Sequence, residues 1–263
     1  MRWLIAILFA LLTTQVSAQE KFDLDHAQWN SLLAAHVSWT RDGTASVADY
    51  AGFAQDRDAL KAYLASASKV SSSTYDGWNK SDRQAFLINV YNAATVELIL
   101  TRYPDLKSIK DLGSLFRSPW QKDVINLLGE QRSLDDIEHT MLRGAPDYSE
   151  PRIHFAVNCA SIGCPALRPE AFVGSRLPAQ LEDQTTRFLR DRTRNRYEAD
   201  KGLRVSKIFD WYSEDFDKHA GSVPKFLASY AEALGLYGDA KGKLESGSLR
   251  ISYSDYDWRL NDN

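Results

Sequence analysis

The stretch 82–102 constrains this chain most, because its apolar side chains leave no clear solvent face. Phe86, Leu87, Ile88, Val90, Leu98 and Ile99 fall around most of a helical circumference, with Ser81 placed as N-cap and Pro104 just past the end. A helix apolar on all sides must be enclosed by other elements, so the spacing predicts a buried central helix over 82–102. Two amides interrupt it, Asn89 and Asn92, three residues apart and therefore on one face. A buried amide without partners costs about 1–3 kcal/mol. Each must therefore hydrogen-bond, either tying down a neighbouring loop or orienting a catalytic group.

Other segments supply what encloses that helix. Leu24, Trp29, Leu32 and Leu33 predict a helix over 24–35, and Leu60, Tyr63 and Leu64 another over 55–65, with the Ser-rich stretch 66–73 as a soft linker. Val124–Leu128 and Gln131–Arg132 flank Gly129-Glu130 as a short hairpin, after which Ser133 caps a helix that carries Ile137, Glu138 and His139 and closes near Gly144. Residues 153–158 alternate like a strand, with His154, Ala156 and Asn158 on one face and Phe155, Val157 and Cys159 on the other. A helix over 181–194, extended pieces near Tyr197 and over 203–208, a helix over 222–234 and an aromatic strand-like tail over 249–258 complete the chain. This order lacks a regular strand–helix alternation. It predicts one α+β domain over 19–263, its buried central helix packed on a small, mostly antiparallel sheet containing 153–158, with several surrounding helices.

Residues 1–18 read as a signal peptide: Arg2, an apolar core Trp3–Leu12, and Val16-Ser17-Ala18 before Gln19. An exported protein, periplasmic or secreted, is expected. The apolar core falls short of the ~20 residues a membrane span needs, so no stable membrane insertion is expected after cleavage. Lys and Arg number 32 against 35 Asp and Glu, a net charge of -3 that argues against a general nucleic-acid binder. Arg187, Arg190, Arg192, Arg194 and Arg196 form the one dense basic group. They suit either a salt-bridged surface or the reception of an anionic substrate. His26, His36 and His219 receive no function.

Both cysteines, Cys159 and Cys164, fall in the run Ile153–Pro165. Three chemistries fit them. A thiol nucleophile needs a base and a group to orient that base. Cys159, His139 and Asn92 supply those types, the same types that papain-like enzymes use, without their local signature or chain order. Strand alternation turns His154 away from Cys159, and Glu138 lies about 100° around the helix from His139, so Glu138 serves another partner. A Cys159–Cys164 disulfide is the second, favoured by export and stabilising by roughly 2 kcal/mol for so short a loop. A redox-active pair is a variant of it, although the spacer departs from Cys-x-x-Cys. A zinc site from His139, His154, Cys159 and Cys164 is the third, but the spacing matches no standard pattern, so neither metal nor cofactor is expected. The expectation is a cysteine-dependent hydrolase or acyl transferase on amide or peptide-like substrates, with Asn89, Glu138, His154 and Cys164 as further site candidates. The alternatives are a non-catalytic binding or scaffold domain with a structural disulfide, or a thiol-redox protein. A small-molecule or peptide-like partner suits the first.

Several pieces taken together resemble the domain-of-unknown-function 547 family: Phe86-Leu87-Ile88-Asn89-Val90-Tyr91-Asn92-Ala93, Ile137-Glu138-His139, His154-Phe155-Ala156-Val157-Asn158-Cys159, Gly163-Cys164-Pro165 and Tyr256-Asp257-Trp258-Arg259-Leu260-Asn261. Similar domains in eukaryotes occur in larger chains, some beside glutaredoxin-like modules, which implies thiol chemistry by association only. Some relatives keep a cysteine at the position of Cys159 and carry serine at that of Cys164. The resemblance thus implies that Cys159 is the more general reactive candidate and the pairing a feature of part of the family.

Overall fold

The computed structural model describes residues 21–114, 116–145 and 149–263. The expected signal peptide lies outside the described residues. Helix α1 (Ala27–His36) runs into an antiparallel ribbon of β1 (Val37–Trp39) and β2 (Ser46–Ala48), with Val37 opposite Ala48. Asp49 then caps α2 (Tyr50–Gln55) by accepting from the Gly52 amide at 2.8 Å, and α3 (Arg57–Ser68) and α4 (Ser72–Asp76) follow. The serines expected to form a soft linker instead finish one helix and start the next. Ser66 and Ser68 donate back to the Tyr63 and Leu64 carbonyls, and Ser71 accepts from the Thr74 amide as N-cap of α4.

The buried central helix is α5 (Lys80–Leu100), and every residue from Gln84 to Val96 is buried. Its cap is Asn79, which accepts from the Asp82 amide at 2.9 Å, so the helix begins two residues ahead of the expected start. Trp29, Phe53, Tyr63 and Phe86 belong to the core that surrounds it. Near the far end of α5, Glu97 receives a two-nitrogen contact from Arg57, with Nη2 to Oε1 at 2.7 Å.

The expected hairpin is β3 (Asp123–Leu127) with β4 (Glu130–Ser133), but its turn is Leu128-Gly129, one residue earlier than read. Both turn residues have positive φ, 54° and 88°, the conformation of a two-residue hairpin whose twist matches its strands. Ser133 and Asp136 then cap each other: the Ser133 amide donates to the Asp136 carboxylate at 2.9 Å, and the Asp136 amide donates to Ser133 Oγ at 3.1 Å. The helix they start is a π-helix, Asp136–Arg143. Such turns are rare and cluster at functional sites.

The remaining chain builds a second core. It comprises α6 (Leu177–Arg190), β5 (Arg196–Glu198), β6 (Gly202–Val205), α7 (Ile208–Trp211), α8 (Ser213–Ala220), α9 (Val223–Ser229), α10 (Gly238–Glu245) and β7 (Ile251–Tyr253). Strand β6 lies antiparallel to β5 and parallel to β7. Phe155, Phe188, Phe209, Phe216 and Phe226 meet here, with ring centroids 4.7–6.3 Å apart.

The architecture is α+β, with its strands divided among small sheets rather than gathered under α5. The expected strand over 153–158 is not formed. Pro151–Phe155 is a 3-10 helix, opened by Pro151 at its first position and by Glu150, whose side chain accepts from the Arg152 amide. Residues 156–158 continue without a strand. Ile153, Ala156 and Val157 face the first core while Phe155 enters the second, so burial against two cores produces the apolar alternation that reads as a strand.

Candidate functional site

A cavity of about 270 Å³ opens where the two cores meet. Glu138 and His139 reach it from the π-helix, His154 from the 3-10 helix, Cys159 and Cys164 from the loop that follows, and Trp211 and Tyr212 from the end of α7. Tyr256 and Trp258 close it from the C-terminal tail.

The two cysteines form a disulfide with Cα atoms 6.1 Å apart. Their loop is strapped to the tail. The amides of Ile162 and Gly163 donate to the carbonyls of Arg259 and Asp257, both at 2.8 Å, and the Asn261 amide donates to the Ala160 carbonyl. Ala160 itself stands at φ 59°, a left-handed conformation unfavourable for a residue with a Cβ. Gly163 has no room for one, since a Cβ there would lie 2.9 Å from the Tyr256 ring and 3.0 Å from the Asp257 nitrogen. Inside the loop's base, Asn158 donates to the Pro165 carbonyl and accepts from the Ala160 amide. The Cys159 sulfur lies 3.2 Å from the Tyr256 hydroxyl and 3.3 Å from the Ser161 hydroxyl.

Glu138 is 5% exposed, and both of its oxygens accept from tyrosines: Tyr91 at 3.0 Å and Tyr212 at 2.7 Å. It serves those partners and not His139, as the helical angle between the two residues led us to expect. Tyr212 also stacks on His154, with centroids 3.9 Å apart. The fully buried His154 ring places Nε2 2.7 Å from an oxygen of Asp215, which Arg143 also holds through Nε at 2.6 Å. Burial lowers the His154 pKa despite that carboxylate. Burial alone would raise Asp215, but the hydrogen bonds from His154 and Arg143 outweigh it and hold the acid well below the usual carboxylate range. An uncharged His154 with its Nε2 proton on Asp215 leaves Nδ1 as the free lone pair, and Nδ1 has no partner among the described residues.

His139 sits at the rim, its side chain 42% exposed, with Nδ1 2.9 Å from Arg143 Nη1 and Nε2 3.7 Å from Asp135. Burial raises the pKa of Asp135, the second carboxylate lining the cavity.

The structure thus brings Glu138, His139, His154, Cys159 and Cys164 to one cavity and keeps Asn89 and Asn92 behind it. Asn92 donates to the Ala156 carbonyl at 2.9 Å and accepts from the Asn158 amide at 2.8 Å, fixing the backbone that leads into Cys159. Asn89 makes the same pair of bonds with the backbone of Phe172. His154, which strand alternation pointed away from Cys159, lines the cavity with it because the segment is not a strand.

Sequence reasoning missed Trp211 and Asp215, which lie on short helices of ordinary composition, and Tyr212, the turn residue between those helices. Most of the arginine group is taken up structurally. Arg187 pairs with Asp183, Arg192 donates to the Leu189 and Ala233 carbonyls, Arg194 binds Asp191 and the Ile162 carbonyl of the disulfide loop, and Arg196 pairs with Glu198. Among the described residues no helix is long and apolar enough to cross a membrane.

Residues 75–189 match the model of the family described as "Protein of unknown function, DUF547". No curated protein and no solved structure matches the chain. The matched segment carries α5, the π-helix and the cysteine loop, whereas Trp211, Tyr212, Asp215, Tyr256 and Trp258 come from beyond it.

Proposed function

We propose that this protein is an exported, cysteine-dependent hydrolase or acyl transferase for amide or peptide-like substrates, with Cys159 as nucleophile and the disulfide as its oxidised resting form. The observation that carries the reading is the shared cavity of Cys159 and His154, with His154 fixed by Asp215 and its other nitrogen unpartnered. A buried, oriented imidazole of lowered pKa suits a base better than His139, which is exposed at the rim and engaged with Arg143. Asn92 is a positioning residue, acting through the backbone at 156–158.

An external dithiol supplies two electrons and two protons, converting the disulfide to two thiols while its own sulfurs join. His154 then takes the Cys159 proton. The thiolate forms a bond to the acyl carbon, the leaving amine departs with that proton, and water or a second acceptor releases the acyl group from the thioester.

Iodoacetamide mapping by mass spectrometry tests this. Cys159 is expected to label only after mild reduction, and its labelling rate should fall in His154→Gln but little in His139→Gln. The reduced protein should also take an acetyl group on Cys159 from p-nitrophenyl acetate. Equal labelling in wild type and His154→Gln, with no acetyl adduct, would overturn the reading.

A second reading is a binding domain whose disulfide is permanent, favoured by the strap that fastens the loop to residues 257–261. It predicts a bond that resists excess dithiol in the native protein.

A further inference from the structure

The cavity holds a buried carboxylate, Glu138, that forms no ion pair among the described residues. Both oxygens of Glu138 accept from tyrosyl hydroxyls, as an acceptor-only carboxylate does, and among the described residues no Lys, Arg or His forms an ion pair with it. The nearby cation, Arg143, is bonded to Asp215. His154 is kept uncharged by burial and is bonded to the same Asp215, so it adds no positive charge to the cavity. Asp135 contributes a second carboxylate, 3.7 Å from the His139 imidazole at the rim, and no lysine or arginine among the described residues lines the cavity. Taking an ion out of water is costly unless an opposite charge accompanies it.

The walls suggest which opposite charge. Trp211, 44% exposed, stands 5.8 Å from Trp258 and 4.9 Å from Tyr256 between ring centroids, and Trp120 meets Trp258 at 5.7 Å. Indole and phenol faces carry the negative lobe of the ring quadrupole and attract cations, most strongly for tryptophan. These rings already do so within the protein: Lys110 Nζ lies 3.8 Å from the Trp258 centroid, and the Arg143 guanidinium lies 4.8 Å from that of Tyr212. A hard inorganic cation would need a shell of oxygen ligands, whereas aromatic walls beside one buried carboxylate suit an ammonium on an apolar stem.

We propose that this cavity binds an organic ammonium ion, with Glu138 as its counter-charge and the Trp211–Tyr256–Trp258 wall against its stem. The inference deepens the enzymatic reading, on which it rests for substrate class, by naming an amine-bearing substrate. The binding itself requires no thiol.

Calorimetric titration of the oxidised full-length protein, and of Cys159→Ser, with benzylammonium, benzyltrimethylammonium and the neutral benzyl alcohol tests it. At least one of the two cations is expected to bind roughly tenfold or more tightly than the alcohol, and Glu138→Gln should erase most of that preference. Should Glu138→Gln fail to fold, the wild-type ratio of cation to alcohol and its reduction in Asp135→Asn still decide. Equal binding of cation and alcohol, or a preference that survives Glu138→Gln, overturns the proposal. So does saturable binding of the alcohol with neither cation. Failure of cysteine labelling would sink the enzyme and leave this site standing, because the titration does not depend on reduction.

Discussion

The core around α5 and the core around Phe216 use similar apolar material but assemble it differently. The first takes nearly half of its side chains from helices of 10, 12 and 21 residues, α1, α3 and α5, which lie close together in sequence. The second collects phenylalanines from positions 155 to 226, carried by a 3-10 turn and by helices as short as four residues. A long helix declares its buried face through its own repeat, whereas a short one has the face its neighbours give it. The cavity lies where the two kinds of construction join.

Replacing the residue that joins them should break the comparison hardest. Phe155→Ala removes a fully buried ring from the second core and is expected to cost about 3–5 kcal/mol in chemical denaturation. Two separate transitions would make the cores distinct folding units, and a single shifted transition would make them one.

Acid should act on the first core through His26. This residue is 1% exposed, bonded through Nδ1 to the Tyr63 hydroxyl at 2.8 Å, and burial lowers its pKa from 6.5 to about 4, with Asp23 opposing. The unfolded chain therefore takes up the proton first. Stability is full above about pH 6.5 and falls as pH drops toward 4, by an amount approaching roughly 3 kcal/mol. Denaturation midpoints across that window should show the slope in wild type and a flatter one in His26→Gln. Identical slopes would sink the assignment.

The smallest effect belongs to the loop between the cores. Cys164→Ser opens a short disulfide loop and is expected to cost roughly 2 kcal/mol. The strap to residues 257–261 should keep the loop in place, so hydrogen exchange at the Ile162 and Gly163 amides should stay slow. Rapid exchange at those amides would show that the disulfide, and not the strap, holds the loop.

What could be read from the residues follows the same division. The position of α5, the hairpin and the capping of the π-helix by Ser133 were legible, because repeat, turn and cap are local signals. The segment 153–158 was misread because Ile153, Phe155 and Val157 alternate between two cores, a pattern identical in period to a strand with one buried face. Cysteine clustering located the cavity, and the motif ending in Asn261 marked the tail, but nothing local tied one to the other. Asp215 and Tyr212 were invisible for a similar reason. Their roles come from His154 and Glu138, which are distant in sequence, and an acid on a short helix and a tyrosine in the turn before it carry no mark of such partners.

The strap has a consequence for the order in which the molecule is made. The cysteine loop leaves the ribosome long before residues 256–261, which later cover it. A chain threaded outward from its N-terminus would expose both thiols to oxidation while Tyr256 is still unsynthesised or undelivered. The bond can then close on an open loop, and the tail's arrival becomes the last step that turns a loose disulfide hairpin into the wall of a finished chamber.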